Sequence, residues 1–213
     1  MIKNLIIEGI DRLGKDSLIS NIQHELGFFQ VIHYEKPKLL DIYYRDSIKK
    51  LNGFNPDDPL LKEKSIVANA LMNYQTDSFK EMFELLGSRS KLIMNRAHLG
   101  EWVYSLRYRN YSGTYVFGME KEFQEAGNKF ADNTLLVLLT TTDFGFIKDD
   151  GLSLDFNKKE EEQKDFLLGF HRSVIKNKLL IDVSNGKGGY RSYGQILDQV
   201  VSGFKYGTGR TIL

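Results

Sequence analysis

The stretch LIIEGIDRLGKDSLIS, residues 5–20, decides the fold. An apolar run leads to Gly9, the pair Gly14-Lys15 follows, and residues that favour a helix continue from there. A strand, a glycine-bearing turn and a helix in this order direct backbone N–H groups and the positive end of the helix at one spot, where phosphate binds. The Lys15 ammonium would reach the outer phosphates. The stretch therefore predicts a phosphate-binding loop; the alternative is an ordinary strand-to-helix turn whose glycines serve packing.

Asp16 departs from the motif G-x-x-x-x-G-K-[ST], which has Ser or Thr at this position, and Ser17 comes one place later. A carboxylate beside bound phosphates is repelled by them unless a divalent cation lies between the two. Carboxylate oxygen is a good ligand for Mg²⁺. We predict that Asp16 or Ser17 approaches Mg²⁺, directly or through water. The alternative is that Asp16 caps the helix that follows.

Composition narrows the class of protein. The 213 residues carry 29 Lys+Arg against 28 Asp+Glu, so no global basic field suggests a protein of duplex DNA, although a local patch is possible. The length favours one domain over 1–213. The absence of cysteine excludes disulfides, thiolate metal sites and cysteine nucleophiles. The apolar run near the start is too short to span a bilayer, so we expect a cytoplasmic protein with no membrane partner.

Short apolar runs alternate with helical patterns along the chain, and this order predicts an α/β fold with a parallel sheet covered by helices. Strands are expected at Ile2–Glu8, Phe28–Tyr34, Lys91–Asn95, Thr134–Thr140 and Lys178–Val183. Helices are expected at Lys15–Leu26, Leu60–Leu86, Leu99–Tyr108, Val116–Phe130, Lys158–Asn177 and Tyr193–Phe204. With the phosphate loop after the first strand, the prediction is a three-layer P-loop NTPase fold with a five-stranded parallel sheet.

Arg12 inside the loop makes this phosphate-loop motif specific to one group of P-loop proteins. The segment EGIDRLGKDS, residues 8–17, resembles the EGxDRxGKST loop of thymidylate kinases, a family of P-loop nucleoside monophosphate kinases. In members whose loop carries an arginine, that arginine is catalytic, so the resemblance implies that Arg12 stabilises the transferring phosphoryl group beside Lys15. The alternative for Arg12 is a solvated loop charge. The resemblance implies ATP and Mg²⁺ as cofactors, with ATP bound by Gly9, Asp11, Gly14, Lys15, Asp16 and Ser17.

A second landmark is KLIMNRAHLGEWVYSLRYR, residues 91–109, where an apolar strand ends in Asn95-Arg96. The pair resembles the Asp-Arg pair at the end of the third strand of thymidylate kinases, where the arginine grips the acceptor monophosphate. The resemblance implies a catalytic role for Arg96. Asn95 lacks the charge to hold Mg²⁺ strongly, so our hypothesis is that the metal-binding role moves to Asp16, with Ser17 and Asn95 completing the metal site.

Further acceptor-binding residues are expected on three segments. The form HLGE-VY---YR, within 98–109, looks like that of thymidylate-kinase-like proteins of phages and some bacteria, and its residues could line a nucleoside pocket. Lys36 and Arg45 follow the second strand, and Tyr74 lies on the long helix, where the family has an aromatic that stacks on the base; the alternative for Tyr74 is core packing. The predicted acceptor-binding residues are Lys36, Arg45, Tyr74, Arg96, Glu101, Tyr104, Tyr108 and Arg109.

Two loops complete the comparison with thymidylate kinases. The segment around 142–157 occupies the place of the lid that closes over ATP in these enzymes. It contains no arginine, as expected where the arginine of the phosphate loop is the catalytic one. Its acidic run could equally be a solvated surface loop. The segment NGKGGYRSYGQIL, residues 185–197, follows the last strand, and its counterpart in the fold lies near the adenine.

The sequence thus predicts a kinase that moves the γ-phosphoryl group of Mg-ATP to a deoxynucleoside monophosphate, with dTMP as the expected acceptor. One alternative is a kinase for a modified pyrimidine nucleotide or for a hydroxyl on DNA, although the balanced charge argues against a nucleic-acid partner. Another is an ATP-binding regulatory module without transfer activity. The resemblance implies a homodimer, located in the host cytoplasm if the protein is encoded by a phage.

Overall fold

The structure, a computed structural model, describes residues 1–27, 29–33, 61–109, 111–148 and 155–207, without the side chains of 61–67 and 106. Within these ranges, five strands, all parallel, form one sheet in the order β2-β3-β1-β4-β5. This confirms the predicted five-stranded parallel sheet. Phe28 and Tyr34, the predicted ends of the second strand, lie outside the described residues. The strands are β1 Asn4–Glu8, β2 Gln30–His33, β3 Leu92–Asn95, β4 Thr134–Thr140 and β5 Asn177–Asp182.

Helices connect the strands and cover the sheet. None of the helices in the described part of the chain is long and apolar enough to cross a membrane. The helices are α1 Lys15–Leu26, α2 Leu61–Ser88, α3 His98–Tyr108, α4 Tyr115–Glu125, the short α5 Phe130–Asn133, α6 Lys159–Arg172, which follows a 3₁₀ turn at Phe156–Lys158, and α7 Tyr193–Tyr206.

Two predicted helices were too long. The one expected at Val116–Phe130 ends at Glu125, because Gly127 adopts a φ of 83° that a right-handed helix does not allow. The helix expected at Lys158–Asn177 ends at Arg172. There Ser173 turns to an extended conformation, and its hydroxyl donates to Glu120 Oε1 over 2.6 Å. Tertiary contacts therefore end this helix, where the local sequence would continue it.

The centre of the sheet is fully buried. Every residue of β1 and β4 is buried, as expected for parallel strands covered by helices on both faces. In the pairing register Asn95 lies beside Ile7 on one side and beside His33 on the other, so β1, β2 and β3 end at the same edge. β1 lies at the centre of the sheet: β2 and β3, which come next in the chain, lie on one side of it, and β4 and β5 lie on the other. The resulting crevice beyond the carboxyl end of β1 is where α/β sheets bind ligands.

Candidate active site

The turn between β1 and α1 is built on left-handed and glycine-only backbone positions. Gly9 has a φ of 137°, and a Cβ atom there would lie 2.5 Å from the backbone oxygen of Leu139 in β4. Gly14, directly before α1, has a φ of 79°. Arg12 adopts a φ of 73°, which is uncommon for a residue with a side chain. The turn therefore packs directly against the sheet and presents its backbone to the crevice.

Lys15 is a buried cation inside this turn. Its side chain is 6% exposed, and its Nζ donates hydrogen bonds to the backbone oxygens of Gly9 over 2.8 Å and Ile10 over 2.6 Å. Burial lowers the pKa of Lys15 to about 8, and repulsion from Arg96 adds to the effect. An anionic ligand in the turn would stabilise the ammonium charge and so offset both effects, which makes the arrangement suited to phosphate.

Glu8, the last residue of β1, holds the start of α3. Its Oε1 accepts hydrogen bonds from the amides of Ala97, Leu99 and Gly100 over 2.8, 3.1 and 3.3 Å. Burial raises the pKa of Glu8, while His98 opposes this increase. Our sequence reasoning missed this contact. A signal was present, because Ala97 precedes α3 and cannot cap it with its own side chain.

Asp16 and Asn95 meet at the entrance to the crevice. Asn95 Nδ2 donates to Asp16 Oδ1 over 2.6 Å and lies 3.0 Å from His33 Nδ1. The amide nitrogen of Asn95 faces both of these atoms. Because an N–H group cannot ligate a cation, Asn95 contributes through this atom by its hydrogen bond to Asp16. The residue before α1 is Gly14, which makes no side-chain cap hydrogen bond, and the capping alternative for Asp16 remains a prediction.

Arg96 reaches from the end of β3 to the phosphate loop. Its guanidinium donates to Asp11 Oδ1 over 2.5 Å, and its side chain remains 49% exposed. Tyr104 of α3 lies in the same environment: desolvation raises the pKa of its hydroxyl well above the ordinary value, and the Asp11 carboxylate adds to this shift. The structure thus brings together Arg96, Asp11 and Tyr104, three of the predicted site residues.

Glu101 and Arg109 form a buried ion pair. They are 2% and 6% exposed, and the Glu101 carboxylate also accepts from the hydroxyls of Tyr111 over 2.5 Å and Tyr115 over 3.0 Å. Two tyrosines that sequence reasoning missed therefore complete a cluster that joins α3 to α4. Acceptor binding by Glu101 and Arg109 remains a prediction.

The other predicted acceptor-binding residues are dispersed. The Tyr108 hydroxyl donates to Glu162 Oε1 of α6 over 2.7 Å. Tyr74 is 42% exposed and lines a cavity of about 230 Å³ with residues that include His33, so it is not a core residue. Lys36 and Arg45 lie outside the described residues, as do 149–154 of the predicted lid.

A second cavity lies between the phosphate loop and α7. Its volume is about 310 Å³, and Tyr193 and Arg191 are among its lining residues. The Tyr193 hydroxyl donates to the backbone oxygen of Gly14 over 3.3 Å, and the Tyr190 hydroxyl donates to that of Arg12. Sequence reasoning placed the glycine-rich segment near the adenine but missed these tyrosines. The full lining is Leu13, Gly14, Ser17, Leu18, Leu139, Tyr190, Arg191, Tyr193 and Ile196.

The oxygen donors at the loop fit a shared metal. In the ranges that the structure describes, no group of three or more His, Cys, Asp or Glu side chains could hold a metal ion alone. Mg²⁺ in phosphate sites is commonly bound by one or two protein oxygens together with phosphate oxygens and water. The Asp16 carboxylate and the Ser17 hydroxyl, at the start of α1, match that donor set. Mg²⁺ would therefore be held jointly with bound phosphates.

No family model and no curated protein sequence matches the chain. Several solved structures are similar to the chain in fold. YorR from Bacillus subtilis, crystallised with phosphorylated GDP, is 15% identical with a TM-score of 0.57, and 93% of each chain is covered. Thymidylate kinase from Candida albicans is 14% identical with a TM-score of 0.53, covering 94% of this chain and 90% of that one. Deoxyadenosine kinase from M. mycoides, solved with dCMP and a flexible dCDP, is 12% identical with a TM-score of 0.50, covering 93% and 96%.

These likenesses cover 93–94% of the chain. This chain's parallel strand order and the glycine-bearing turn after β1 are features of the same fold. The chain therefore has the P-loop NTPase fold.

Proposed function

We propose that the protein transfers the γ-phosphoryl group of ATP to a deoxynucleoside monophosphate, with dTMP as the acceptor. The contact between Arg96 and Asp11 carries this proposal. Arg96 directly follows β3 and Asp11 lies in the phosphate loop, so an acceptor phosphate bound by Arg96 would lie next to the outer phosphates of ATP. Phosphoryl transfer depends mainly on such positioning and on charge neutralisation.

On the donor side, the loop from Gly9 to Gly14 and the buried Lys15 ammonium would hold the β- and γ-phosphates. Arg12 would place its guanidinium on the transferring group and offset the charge that develops there. The cavity of about 310 Å³ beside Tyr193 and Arg191 is the candidate place for the base of ATP. Its mixture of aromatic, apolar and charged lining suits a nucleobase.

Asp16 and Ser17 would hold Mg²⁺, which when bound offsets the negative charge of the phosphates. Asn95 positions Asp16 through the hydrogen bond of 2.6 Å. This proposed division of roles explains why Asn95, at the end of the strand, can lack a charge while Asp16, in the phosphate loop, carries one.

On the acceptor side, Arg96 would bind the monophosphate and Tyr104 would lie beside it. Tyr74, in the cavity of about 230 Å³ with His33, is the candidate to stack on the acceptor base. The choice of dTMP rests on the resemblance of the loop to that of thymidylate kinases and is supported by the likeness in fold to thymidylate kinase from Candida albicans.

The test is ADP release from Mg-ATP with dTMP, dUMP, dCMP, dGMP, dAMP, 5-hydroxymethyl-dUMP or a DNA oligonucleotide offered separately, with the Arg12→Ala variant as control. Turnover with dTMP that the variant loses would support the proposal. Turnover driven by another acceptor would replace dTMP by that acceptor. ATP binding without turnover on any acceptor would contradict a kinase and favour a regulatory ATP-binding module.

A further inference from the structure

Arg12 depends on a distant residue for its backbone conformation. Its φ of 73° is unfavourable for a residue with a Cβ atom. Its backbone oxygen accepts a hydrogen bond from the hydroxyl of Tyr190, 178 positions later in the chain. Unfavourable backbone conformations persist where surrounding contacts hold them. The Tyr190 hydroxyl is such a contact, and it is made at the oxygen of the residue whose conformation is unusual.

Tyr190 is itself held from several directions. Ser184 and Tyr190 form an antiparallel bridge, and Asn185 Nδ2 donates to the backbone oxygen of Tyr190 over 3.1 Å. The ring of Phe146, from the loop after β4, packs edge-on against the Tyr190 ring with 4.5 Å between centroids. Although Tyr190 is 46% exposed, the desolvation of its hydroxyl raises its pKa, while the charge of Arg12 opposes this increase.

We infer that Tyr190 is a positioning residue for Arg12: its hydroxyl fixes the loop backbone from which the arginine reaches the transferring phosphoryl group, and Phe146 fixes the Tyr190 ring. The inference rests on the proposed role of Arg12 in phosphoryl transfer. Misplacing a catalytic group by a fraction of an ångström lowers the rate of the chemical step, while binding of the substrates can be retained. The expected signature is therefore a loss of kcat at constant KM.

The Tyr190→Phe variant removes the hydroxyl and keeps the ring that lines the cavity and packs on Phe146. We expect kcat to fall by about threefold to tenfold, as for one lost hydrogen bond, with the KM for ATP unchanged within about twofold. Tyr206→Phe is the matched control, because Tyr206 is 83% exposed at the end of α7. Its kcat and KM should equal those of the wild type.

A double-mutant cycle tests whether Tyr190 acts through Arg12. In the Arg12→Ala background, Tyr190→Phe should cause no further loss of kcat, because the group being positioned is gone. A multiplicative further loss would show that Tyr190 acts independently and would overturn the inference. So would a rise in the KM for ATP with kcat unchanged, since that result would make Tyr190 a nucleotide-binding residue.

Hydrogen exchange of the phosphate loop provides a readout that needs no turnover. Exchange of the amides in 9–15 should be faster in Tyr190→Phe than in the wild type and in Tyr206→Phe. A Phe146→Leu variant should show a smaller change of the same sign. Equal exchange in Tyr190→Phe and wild type would overturn the inference. If the wild-type protein transfers phosphate to no acceptor, the proposed function fails, while the exchange experiment still decides whether Tyr190 holds the loop.

Discussion

Asn95 and Asp16 are joined by a hydrogen bond of 2.6 Å from the amide nitrogen to the carboxylate. One ends β3, and the other lies in the first turn of α1. Both depart from the residues found in the resembling kinase motifs, which have Asp at the strand end and Ser or Thr in the loop. The two departures form one complementary pair, because the neutral amide can donate to the carboxylate whereas two carboxylates would repel each other.

The Asn95→Asp variant tests this pairing. It would place two carboxylates at hydrogen-bond distance, so we expect a loss of roughly 1–3 kcal/mol in the free energy of unfolding without Mg²⁺. Mg²⁺ should raise the Tm of this variant more than that of the wild type, since the cation would screen the repulsion. Thermal unfolding with and without MgCl₂ measures both effects. The Asn95→Ala control loses the bond without adding charge, and an equal response of both variants to Mg²⁺ would contradict the prediction.

The affinity for ATP should fall at alkaline pH because of Lys15. The pKa of Lys15 in the free protein is lowered to about 8, so its charge is present below that pH and is lost above it. The charged form binds phosphate, and the Kd for ATP should therefore rise above pH 8, approaching about tenfold per pH unit if that charge is required. Titration of ATP binding between pH 6.5 and about 9.5 checks this. A Kd that stays constant across that range would contradict it.

Gly9→Ala should disrupt the phosphate loop. The new Cβ atom would lie 2.5 Å from the Leu139 oxygen at a φ of 137°, and the backbone of β4 cannot retreat without breaking its pairing. We expect a loss of roughly 2–4 kcal/mol in stability together with loss of ATP binding. Gly118→Ala is the matched control: it lies within α4 with open space around it, and the change should stabilise the protein by about 0.5–1 kcal/mol. Chemical denaturation of both variants would show equal effects if this explanation were wrong.

Glu120 should be required for stability rather than catalysis. It is buried with His98, whose Nε2 lies 2.8 Å from Glu120 Oε1, and it also binds Ser173 and the amide of Val174. Burial raises its pKa, but these partners together lower it below the ordinary value of 4.5. Its contribution is therefore present above pH 4.5 and is lost as the pH falls through the lowered value.

At pH 7, Glu120→Ala should cost roughly 3–5 kcal/mol in the free energy of unfolding, because it leaves buried polar partners unsatisfied. The cost should shrink on acidification below pH 4.5. Lys176→Ala breaks the exposed pair with Asp132 and should cost less than about 1 kcal/mol. Urea unfolding of both variants at pH 7 and at acidic pH gives the comparison, and similar costs at pH 7 would rule out a special role for Glu120.

Some of the structure depended on local patterns and was predictable. α1 spans Lys15–Leu26 and β4 spans Thr134–Thr140, as the sequence predicted. Helix-forming residues after a glycine and an unbroken apolar run each indicate the local conformation without information from distant residues. The alternation of strands and helices also predicted the parallel sheet. The helix after Lys158 was predicted too long because Glu120, which binds Ser173 at the end of that helix, is distant in sequence.

The sequence by itself determined the fold class, the phosphate loop and the residue types that could bind phosphate, since each depends on neighbouring residues and their periodicity. Only the tertiary structure decided which of those residues meet. Arg96 contacts Asp11, Glu8 caps α3, and Tyr190 holds Arg12, because strand order and register bring distant segments to one edge of the sheet. Hydrogen bonds require contact within about 3 Å. The pattern of residues along the chain does not show which distant residues come this close together.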